Sequence, residues 1–483
     1  MYGVYTRVDL DGDGIPDCGE DEQNPDSDGS GIYPQVSNLH VCAGEDAIQV
    51  SVTGGKQGQT YVLKSKKYSS EMLDDATPDE KILTIEYDGG GKISLGKLPA
   101  GIYLIDFYPE AAADKPNYTN FTLYVHPRQA TWQGGSEHID KQHDWNHWKN
   151  WLEGAPWGCT DVVIPAGCAN YPVLDSQSEN NCARIQFEAN EQGQTGEVVN
   201  THYLTYDEAW VDVALPGKQP TLLAAPLKAV YTGDVFALKD DRYPVTGAAA
   251  AGAADYTASW PVYTQTTDLV KGFRFAPQVY QHTFGGPVQN ITGNGTEALQ
   301  PGSQNWTGAF NLVAQPYEQG AAFLVRMGKG DEQTDACYRI RWPKRYATYH
   351  YYQAGQQTEL PGREETVNRT GAGRFIYEDA DGKFTFPLRL ERVNERPGDV
   401  YLFGNPFMAH LNLKHFFEAN VQVGEVWLLQ NDTYREIKRE SVSETDLLAP
   451  MEGFLVKLRS PYAERNRYRC YIHLVENMLQ QKN

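Results

Sequence analysis

From Val41 to Val52, polar and apolar side chains alternate with the two-residue period of β-strands. Successive strand residues face opposite sides of a sheet, so this alternation is expected where one face is buried and the other is solvated. Short runs separated by turn residues such as Gly90-Gly91-Lys92 predict a β-sandwich over residues 31–127. The predicted strands are residues 41–52, 59–64, 82–87, 98–108 and 121–125.

The second half of the chain contains two apolar runs, residues 400–403 and 407–411, joined by Gly404-Asn405-Pro406. Glycine, asparagine and proline in succession are typical of a turn. We expect this turn to be buried under a β-sandwich, with Phe407 and Met408 directed toward its core or toward the preceding domain. Its role would be to hold adjacent modules in a fixed relation.

The residues that follow predict a short helix and then a hairpin. Apolar side chains recur at helical spacing over residues 412–420, and Asn412 is a suitable cap for the first turn. Residues 424–430 and 434–438 read as two strands around Asn431-Asp432-Thr433.

Composition supports an all-β fold with several β-sandwich modules, Ig-like or jelly-roll-like, in tandem. Aromatic residues make up 12% of the chain, beside 45 glycines and 27 prolines, which suits aromatic strands broken by turns. A mean hydropathy of -0.55 and the lack of a long apolar run predict no transmembrane segment. A length of 483 residues allows three or four domains. We divide the chain into an acidic linker (1–30), an Ig-like β-sandwich (31–127), a β-rich middle domain (128–345) and a C-terminal β-sandwich (346–483).

The chain is strongly acidic, with 63 acidic against 42 basic residues and a formal net charge of -21. A surface of this charge repels nucleic acid and anionic membranes, and it concentrates divalent cations around it. We therefore expect no nucleic-acid partner.

A calcium loop is the clearest chemistry in the sequence. The stretch from Asp9 to Glu20 has carboxylates at positions 1, 3, 5, 9 and 12 of a twelve-residue loop and a glycine at position 6. This spacing lets one short segment surround a hard cation that takes about 6–8 oxygen ligands, and Gly14 permits the sharp turn. Ile15 would supply its carbonyl oxygen, and Asp17 would bind directly or through water. The predicted Ca²⁺ ligands are Asp9, Asp11, Asp13, Ile15, Asp17 and Glu20.

A second acidic loop follows at residues 24–29 but has only the first half of the pattern, because Gln35 stands where a closing carboxylate is needed. It either completes a shared site or binds nothing. Neither loop is flanked by the amphipathic helices of an EF-hand. The sequence of residues 9–30 resembles the thrombospondin type 3 repeat. This resemblance implies a structural calcium ion that stiffens a linker between extracellular modules.

Seven cysteines are present and none forms a Cys-x-x-Cys pair, which disfavours a zinc ribbon or a redox motif. Cys18 and Cys42 could tie the calcium linker to the next module, and Cys159, Cys168 and Cys182 lie close enough for one local bridge, but spacing does not determine which cysteines pair. Disulfides fit an exported protein. Met1 is followed by no secretory signal, so we expect a mature piece or a segment of a longer precursor.

Four strings between residues 145 and 460 resemble sequences of large surface and secreted proteins of Bacteroidetes, many of which use type IX secretion. The resemblance implies an adhesin-like or structural protein and supplies no catalytic residues. Residues 98–108 also resemble a late strand of immunoglobulin-like surface repeats. The sorting domain that such proteins carry last is not recognised here, so we expect either its removal or assembly with a partner. The strings lie at residues 145–174, 210–234, 338–349 and 402–454, the last containing Gly404-Asn405-Pro406-Phe407 and Pro450-Met451-Glu452-Gly453.

The segment His143-Asp144-Trp145-Asn146-His147 is the one candidate for a catalytic metal, with His138 nearby. On a helix, His143 and His147 would face the same side, as in zinc peptidases. However, the general-base position holds Asp instead of Glu, and the segment is rich in tryptophan, so we favour an aromatic loop packed over a sheet edge.

We therefore expect a non-enzymatic, calcium-bearing structural or adhesion protein, extracellular or at the cell surface. Its partners would be other surface or secreted proteins, an outer-membrane complex among them, or glycans. The alternative is a carbohydrate-binding or glycoside hydrolase-like secreted protein. Tyrosines for sugar stacking stand at 346, 349, 351 and 352, but no acid pair can be chosen from 63 acidic residues.

The calcium prediction is tested by replacing two central ligands. Asp11→Ala with Asp13→Ala should abolish calcium binding, because the remaining oxygens are too few for the ion. The domains after residue 31 should stay folded, since each has its own core. Isothermal titration calorimetry with Ca²⁺ measures the stoichiometry, and an unchanged stoichiometry in the double variant would refute the assignment.

Overall fold

The structure is a computed structural model. It describes residues 39–44, 46–52, 58, 60–74, 79–86, 91–109, 119–190, 192–216, 220–230, 277–289, 307–308, 318, 320–327, 337–343, 371–376, 383–389, 392–393, 396–397, 399–430, 433–459 and 470–480. The chain forms two compact units. The first comprises Met1–Thr131, Gly135–Lys141 and Asn146–Asp161, and the second comprises Trp132–Gly134, Gln142–Trp145 and Val162–Asn483. The predicted domain boundaries at 127 and 345 stay predictions.

The first unit is built of strands. They are β1 (Leu39–Cys42), β2 (Gln49–Ser51), β3 (Thr60–Tyr68), β4 (Asp79–Glu86), β5 (Lys92–Ser94), β6 (Gly101–Pro109), β7 (Thr119–His126) and β8 (Gln129–Thr131). Five of them form a sheet in the order β1-β7-β6-β3-β4, in which β1 runs parallel to β7 and the other pairs are antiparallel. The strands β2 and β5 form a separate antiparallel pair. Two 3-10 helices follow, Ile139–Lys141 and Trp148–Asn150.

The predicted alternation is seen in β2, β5 and β7, whereas Tyr61, Val62 and Leu63 of β3 are buried in succession. In β2, Val50 is buried between the exposed side chains of Gln49 and Ser51. The inward side chains from both groups of strands form one core, whose members include Ile48, Val50, Tyr61, Leu63, Ile93, Tyr103, Ile105, Phe121, Leu123 and Val125. The run over residues 41–52 contains two strands, because residues 43–44 and 46–48 leave the strand conformation between β1 and β2.

A disulfide joins Cys42 at the end of β1 to Cys159, with a Cα–Cα distance of 6.3 Å. Both pairings suggested by the sequence, Cys18 with Cys42 and a local bridge among Cys159, Cys168 and Cys182, are therefore wrong. Cys168, Cys182 and Cys470 are not part of a disulfide. The bridge spans 117 residues, and it depends on the parallel pairing that places Cys42 opposite His126, which no local spacing reveals.

The second unit is also mostly strands and holds the one α-helix of the described residues, α1 (Leu413–Ala419). Its 3-10 helices are Thr201–Tyr203 and Glu476–Met478. Its strands are β9 (Asp161–Ile164, whose first residue closes the first unit), β10 (Asn180–Asn181), β11 (Arg184–Phe187), β12 (Leu204–Thr205), β13 (Glu208–Pro216), β14 (Thr221–Ala224), β15 (Pro277–Gln281), β16 (Thr307–Gly308), β17 (Ala322–Met327), β18 (Cys337–Trp342), β19 (Lys383–Pro387), β20 (Arg392–Val393), β21 (Arg396–Pro397), β22 (Val400–Gly404), β23 (His410–Asn412), β24 (Val423–Gln430), β25 (Thr433–Lys438), β26 (Leu447–Leu448), β27 (Gly453–Leu458), β28 (Tyr471–Val475) and β29 (Leu479–Gln480).

The larger sheets of this unit have the strand orders β18-β13-β11-β9, β14-β17-β15-β16, β22-β27-β24-β25 and β26-β23-β29. The pairs β10-β12, β19-β28 and β20-β21 complete it. Most pairings are antiparallel, whereas β11 runs parallel to β13 and β10 parallel to β12. Mostly strands and one α-helix are what the sequence predicts for an all-β chain.

Two glycines allow a close approach between β14 and the β22–β27 pair. Gly404 and Gly453 stand opposite each other in the β22–β27 register. A Cβ atom on Gly404 would lie 2.2 Å from the Cβ of Ala224, and one on Gly453 would lie 2.6 Å from the Cβ of Leu222. The backbone of one sheet thus lies directly on side chains of another. Around this contact, one buried cluster unites Leu222, Ala322, Leu324, Val400, Leu402 and Leu455.

Several local predictions are confirmed. Strands β24 and β25 form the hairpin, paired from Glu425–Lys438 to Gln430–Thr433. Helix α1 begins after Asn412, whose side chain accepts hydrogen bonds from the backbone N–H groups of Lys414 and His415.

The apolar run at 407–411 is a strand only at its end, because β23 begins at His410 and residues 405–409 form a buried non-strand connection. In addition, Gly404 is the last residue of a strand and not part of a turn.

Among the described residues, no helix is long and apolar enough to cross a membrane.

Gly404→Ala should lower the free energy of unfolding of the second unit by about 1–3 kcal/mol, the usual cost of overpacking a core. The added methyl would overlap the Cβ of Ala224 and lie 3.4 Å from the Cβ of Ala322. Neither Cβ can move away by a side-chain rotation, because each is attached directly to the backbone. The measurement is urea denaturation. Gly424→Ala is the matched control, because the atom nearest its Cβ is the Cγ of Arg459 at 3.2 Å, which belongs to a long side chain that can shift. Equal effects of the two substitutions would contradict the close packing.

Candidate functional site

The residues predicted to bind calcium lie outside the described part of the chain. This applies to Asp9, Asp11, Asp13, Ile15, Asp17 and Glu20, to the second loop at 24–29 and to the tyrosines at 346, 349, 351 and 352. Within the described residues, no group of three or more His, Cys, Asp or Glu side chains is placed to hold a metal ion. Calcium binding therefore stays a prediction.

The helix that would align His143 with His147 does not form. The segment contains two 3-10 helices, Ile139–Lys141 and Trp148–Asn150, and neither includes a histidine. His143 belongs to the second unit and donates from Nδ1 to the carbonyl oxygen of Tyr171 at 2.9 Å. His147 belongs to the first unit and pairs with Glu71. The two imidazoles are thus engaged by separate structural contacts.

In the first unit, Glu71 anchors the start of the second 3-10 helix. Its Oε1 accepts a hydrogen bond from Nδ1 of His147, and its Oε2 accepts one from the backbone N–H of Trp148 at 3.1 Å. His147 is fully buried, and its Nε2 has no hydrogen-bond partner among the described residues. A second tie joins Lys149 to Asp74 at 3.3 Å. These contacts fix residues 147–149 to the turn at 70–74.

In the second unit, a buried histidine–glutamate contact joins two segments that are 213 residues apart. Nδ1 of His410 lies 2.7 Å from Oε2 of Glu197, and only 8% of His410 and 5% of Glu197 are exposed. Beside them, the N–H of Val198 donates to the carbonyl oxygen of Met408 at 2.8 Å. Together these bonds fasten the segment around Glu197 to the start of β23.

Glu452 adds a second carboxyl group near His410. Burial raises the pKa of Glu452, against the lowering effects of a hydrogen bond from the N–H of Ala449 and of the charges on His410 and Arg435. The carboxyl therefore keeps a proton to higher pH than an exposed glutamate does.

Asn405 connects the two ends of the string at residues 402–454. Its Nδ2 donates to the carbonyl oxygens of Ala409 at 3.0 Å and Ala449 at 2.9 Å, and its Oδ1 accepts from the N–H of Phe407 at 3.1 Å. Its backbone N–H donates to the carbonyl oxygen of Glu452 at 2.9 Å. Asn405 is fully buried, as are Phe407 and Met408 to within 2%. The burial predicted for this segment is confirmed.

Cys168 and Cys470 are poor nucleophiles, because the pKa of each thiol is raised. Burial raises the pKa of Cys168 and also that of Cys470. A thiol needs a lowered pKa to attack at neutral pH, so these two positions suit a structural role.

The face of the sheet around β13 carries an aromatic ring engaged by arginines. The guanidinium carbon of Arg184 lies 4.0 Å from the ring centroid of Trp210, and that of Arg341 lies 5.6 Å from it. Arg341 also makes a two-point ion pair with Asp212. Stacking on a sugar needs an open aromatic face, whereas this ring carries cation–π contacts.

Sequence reasoning did not identify Glu71, Glu197 or the role of His410. The asparagine before Pro406 was a readable signal, since such side chains bond to backbone two residues on. No local pattern could pair Glu197 with His410, or Glu71 with His147.

No protein-family model matches the chain, and no curated protein matches it. The resemblance to surface proteins of Bacteroidetes therefore rests on the sequence strings.

The Glu197–His410 pair should contribute strongly to stability. His410→Phe should cost about 2–4 kcal/mol, because it leaves a buried carboxylate without its hydrogen-bond donor. Lys414→Ala is the matched control, since the Lys414–Glu444 pair is 41% and 56% exposed at its two side chains and should contribute much less to stability. Urea unfolding of the two variants makes the comparison. A loss in His410→Phe no larger than in the control would show that the pair is not a structural tie.

Proposed function

We propose that the protein is a non-enzymatic structural or adhesion protein, secreted or held at the cell surface, of the kind found in Bacteroidetes. The observation that carries this proposal is that the polar residues singled out as candidate functional groups are buried and hydrogen-bonded. Asn405, His410 and His147 are buried and bonded within the fold. A catalytic site needs polar groups presented to a substrate.

The proposed architecture is a series of β-sandwich modules after a calcium-stiffened linker. The close approach of β14 to Gly404 and Gly453 supports a sandwich in the second unit, because side chains of both sheets share one core. The shared core of β2, β5 and the five-stranded sheet supports one in the first unit. In this arrangement the Asn405 connection stiffens a module, as a rod that transmits force requires.

The Cys42–Cys159 disulfide supports export. Disulfides persist in oxidising compartments such as the bacterial periplasm and the cell exterior, and they are rare in the cytosol. The net charge of -21 favours retention of calcium at an outer surface.

Exposed apolar side chains in the first unit support the adhesive role. Ile139 is 82% exposed and Met72 is 48% exposed. Each of these side chains is next in sequence to a residue that contacts His147. Met72 follows Glu71, and Ile139 follows His138, whose ring lies edge-on to that of His147 with a centroid distance of 6.4 Å. Apolar side chains presented by fixed loops are suited to binding another protein.

The proposal is tested in the native cells by deletion of the gene and complementation. Cells with wild-type protein should display it to external protease and attach to their substratum, and the deletion strain should attach less. Met72→Asp with Ile139→Asp should lower attachment at equal display, because charged groups prevent apolar contact. Val421→Asp, at a side chain that is 55% exposed in the second unit, is the matched control and should attach normally. Protein found only in the cytoplasm, or attachment unchanged by deletion, would refute the proposal.

A further inference from the structure

Two histidines of the first unit form a hydrogen-bonded pair with a defined proton arrangement. Nδ1 of His126 lies 2.8 Å from the carbonyl oxygen of Ala155, and Nε2 of His126 lies 2.8 Å from Nδ1 of His40. A carbonyl oxygen only accepts, so Nδ1 of His126 carries a proton. In the neutral ring Nε2 is then the acceptor, and His40 donates to it. His126 is 3% exposed, whereas His40 is exposed at the surface.

Aromatic rings enclose this pair. The ring of His40 stacks on Tyr124 at 4.4 Å and on Trp157 at 4.5 Å. Trp157 also stacks on His126 at 5.2 Å, and Trp148 approaches His126 at 5.5 Å. We call His40, Tyr124, His126, Trp148 and Trp157 the histidine–tryptophan cluster.

Residues 153–160 form a flap over the cluster. The flap is held at its two ends, where the N–H of Leu152 donates to Thr131 and the N–H of Asp161 donates to Arg128, each at 2.9 Å. Between these ends its contacts with the strands include the carbonyl oxygen of Ala155 on His126, the ring of Trp157 on His40, the hydroxyl of Thr160 on the carbonyl oxygen of Pro127 at 2.6 Å, and the Cys42–Cys159 disulfide.

We propose that the flap is a latch with two locks: protonation of the buried histidine releases the first lock, and the disulfide holds the flap closed until it is reduced. Opening then needs acid and a thiol reductant together. Reduction consumes two electrons and two protons from the reductant, breaks the bond between the two sulfur atoms, and leaves two thiols.

The first lock fails in acid because of where His126 lies. Burial, with a smaller contribution from the charge of His40, lowers its pKa from 6.5 to about 4, against the raising effect of the bond to Ala155. When both rings are charged, Nε2 of His126 and Nδ1 of His40 each carry a proton, so the bond between the rings is lost and two positive charges face each other. In the opened flap the ring regains solvent and its ordinary pKa. The closed state is therefore at full stability above about pH 6.5 and loses stability as the pH falls toward 4.

The other groups around His126 do not act as this switch. Of the rings that face it, His40 is the titratable partner from β1, and Tyr124, Trp148 and Trp157 stay neutral in acid. A charge on His40 lies between the faces of Tyr124 and Trp157, an arrangement that favours positive charge.

Hydrogen exchange of a disulfide-free variant tests the latch. The reporters are the N–H of Trp157, which donates to the hydroxyl of Thr160 at 3.0 Å, and the N–H of Thr160, which donates to Trp157 at 2.8 Å. In Cys42→Ser with Cys159→Ser, flap opening should rise roughly 100-fold from pH 7 to pH 4 after correction for intrinsic exchange. The pKa of His126 is about 4 in the closed flap and 6.5 once the ring is open to solvent. This difference favours the open form by at most roughly 300-fold in acid, and about half of that factor is reached at pH 4. Wild-type protein with its disulfide should stay closed at both values.

Two further variants in the disulfide-free background make the test specific. His126→Phe keeps an aromatic ring but cannot be protonated, so the acid-induced rise should disappear. His143→Phe, at a half-buried histidine of the second unit, should retain it. If the serine variant folds poorly, wild-type protein treated with a phosphine reductant replaces it. The latch is refuted if opening does not rise in acid without the disulfide, if the rise persists in His126→Phe, or if the oxidised wild type opens equally.

Discussion

The side chain of Asn405 satisfies backbone groups of two loops that are 40 residues apart in sequence, and the second unit is arranged around it. Its amide donates to Ala409 and Ala449 and accepts from Phe407, all in a fully buried position. Each of these groups would cost about 1–3 kcal/mol if it were left buried without a partner. The neighbouring glycine allows β22 to lie directly against Ala224. Two consecutive residues therefore have different roles: Gly404 allows the strands to pack closely, and Asn405 supplies hydrogen-bond partners for buried backbone groups.

The parts of this fold that the sequence predicted are those decided by neighbours along the chain. The cap at Asn412 depends on the N–H groups of Lys414 and His415, two and three residues away. The β24–β25 hairpin depends on a turn between strands that are adjacent in sequence. Burial of Phe407 and Met408 followed from their apolar character beside a turn. Such features need no knowledge of which distant strands pair.

The parts that the sequence did not predict all depend on distant pairing. Cys42 finds Cys159 because β1 joins the sheet beside β7, and that parallel pairing has no signature in the residues of β1. His410 meets Glu197 across 213 residues, and His147 meets Glu71 across 76. The helical zinc motif was considered because spacing of four residues suggests a helix, yet residues 143–147 are irregular. Histidine spacing alone does not determine backbone conformation.

The distribution of polar groups bears on function more than their number does. The histidines and the asparagine that attract attention in the sequence are occupied by carboxylates and carbonyl oxygens inside the two units. The proposed adhesive or structural role would make different demands on the surface: charge for solubility and cation binding, and apolar side chains on fixed loops for contact. The buried pairs are what make those loops fixed, since Glu71 and His147 hold the turn that carries Met72. A polar residue that never meets a ligand can thus shape binding by setting the position of an apolar neighbour.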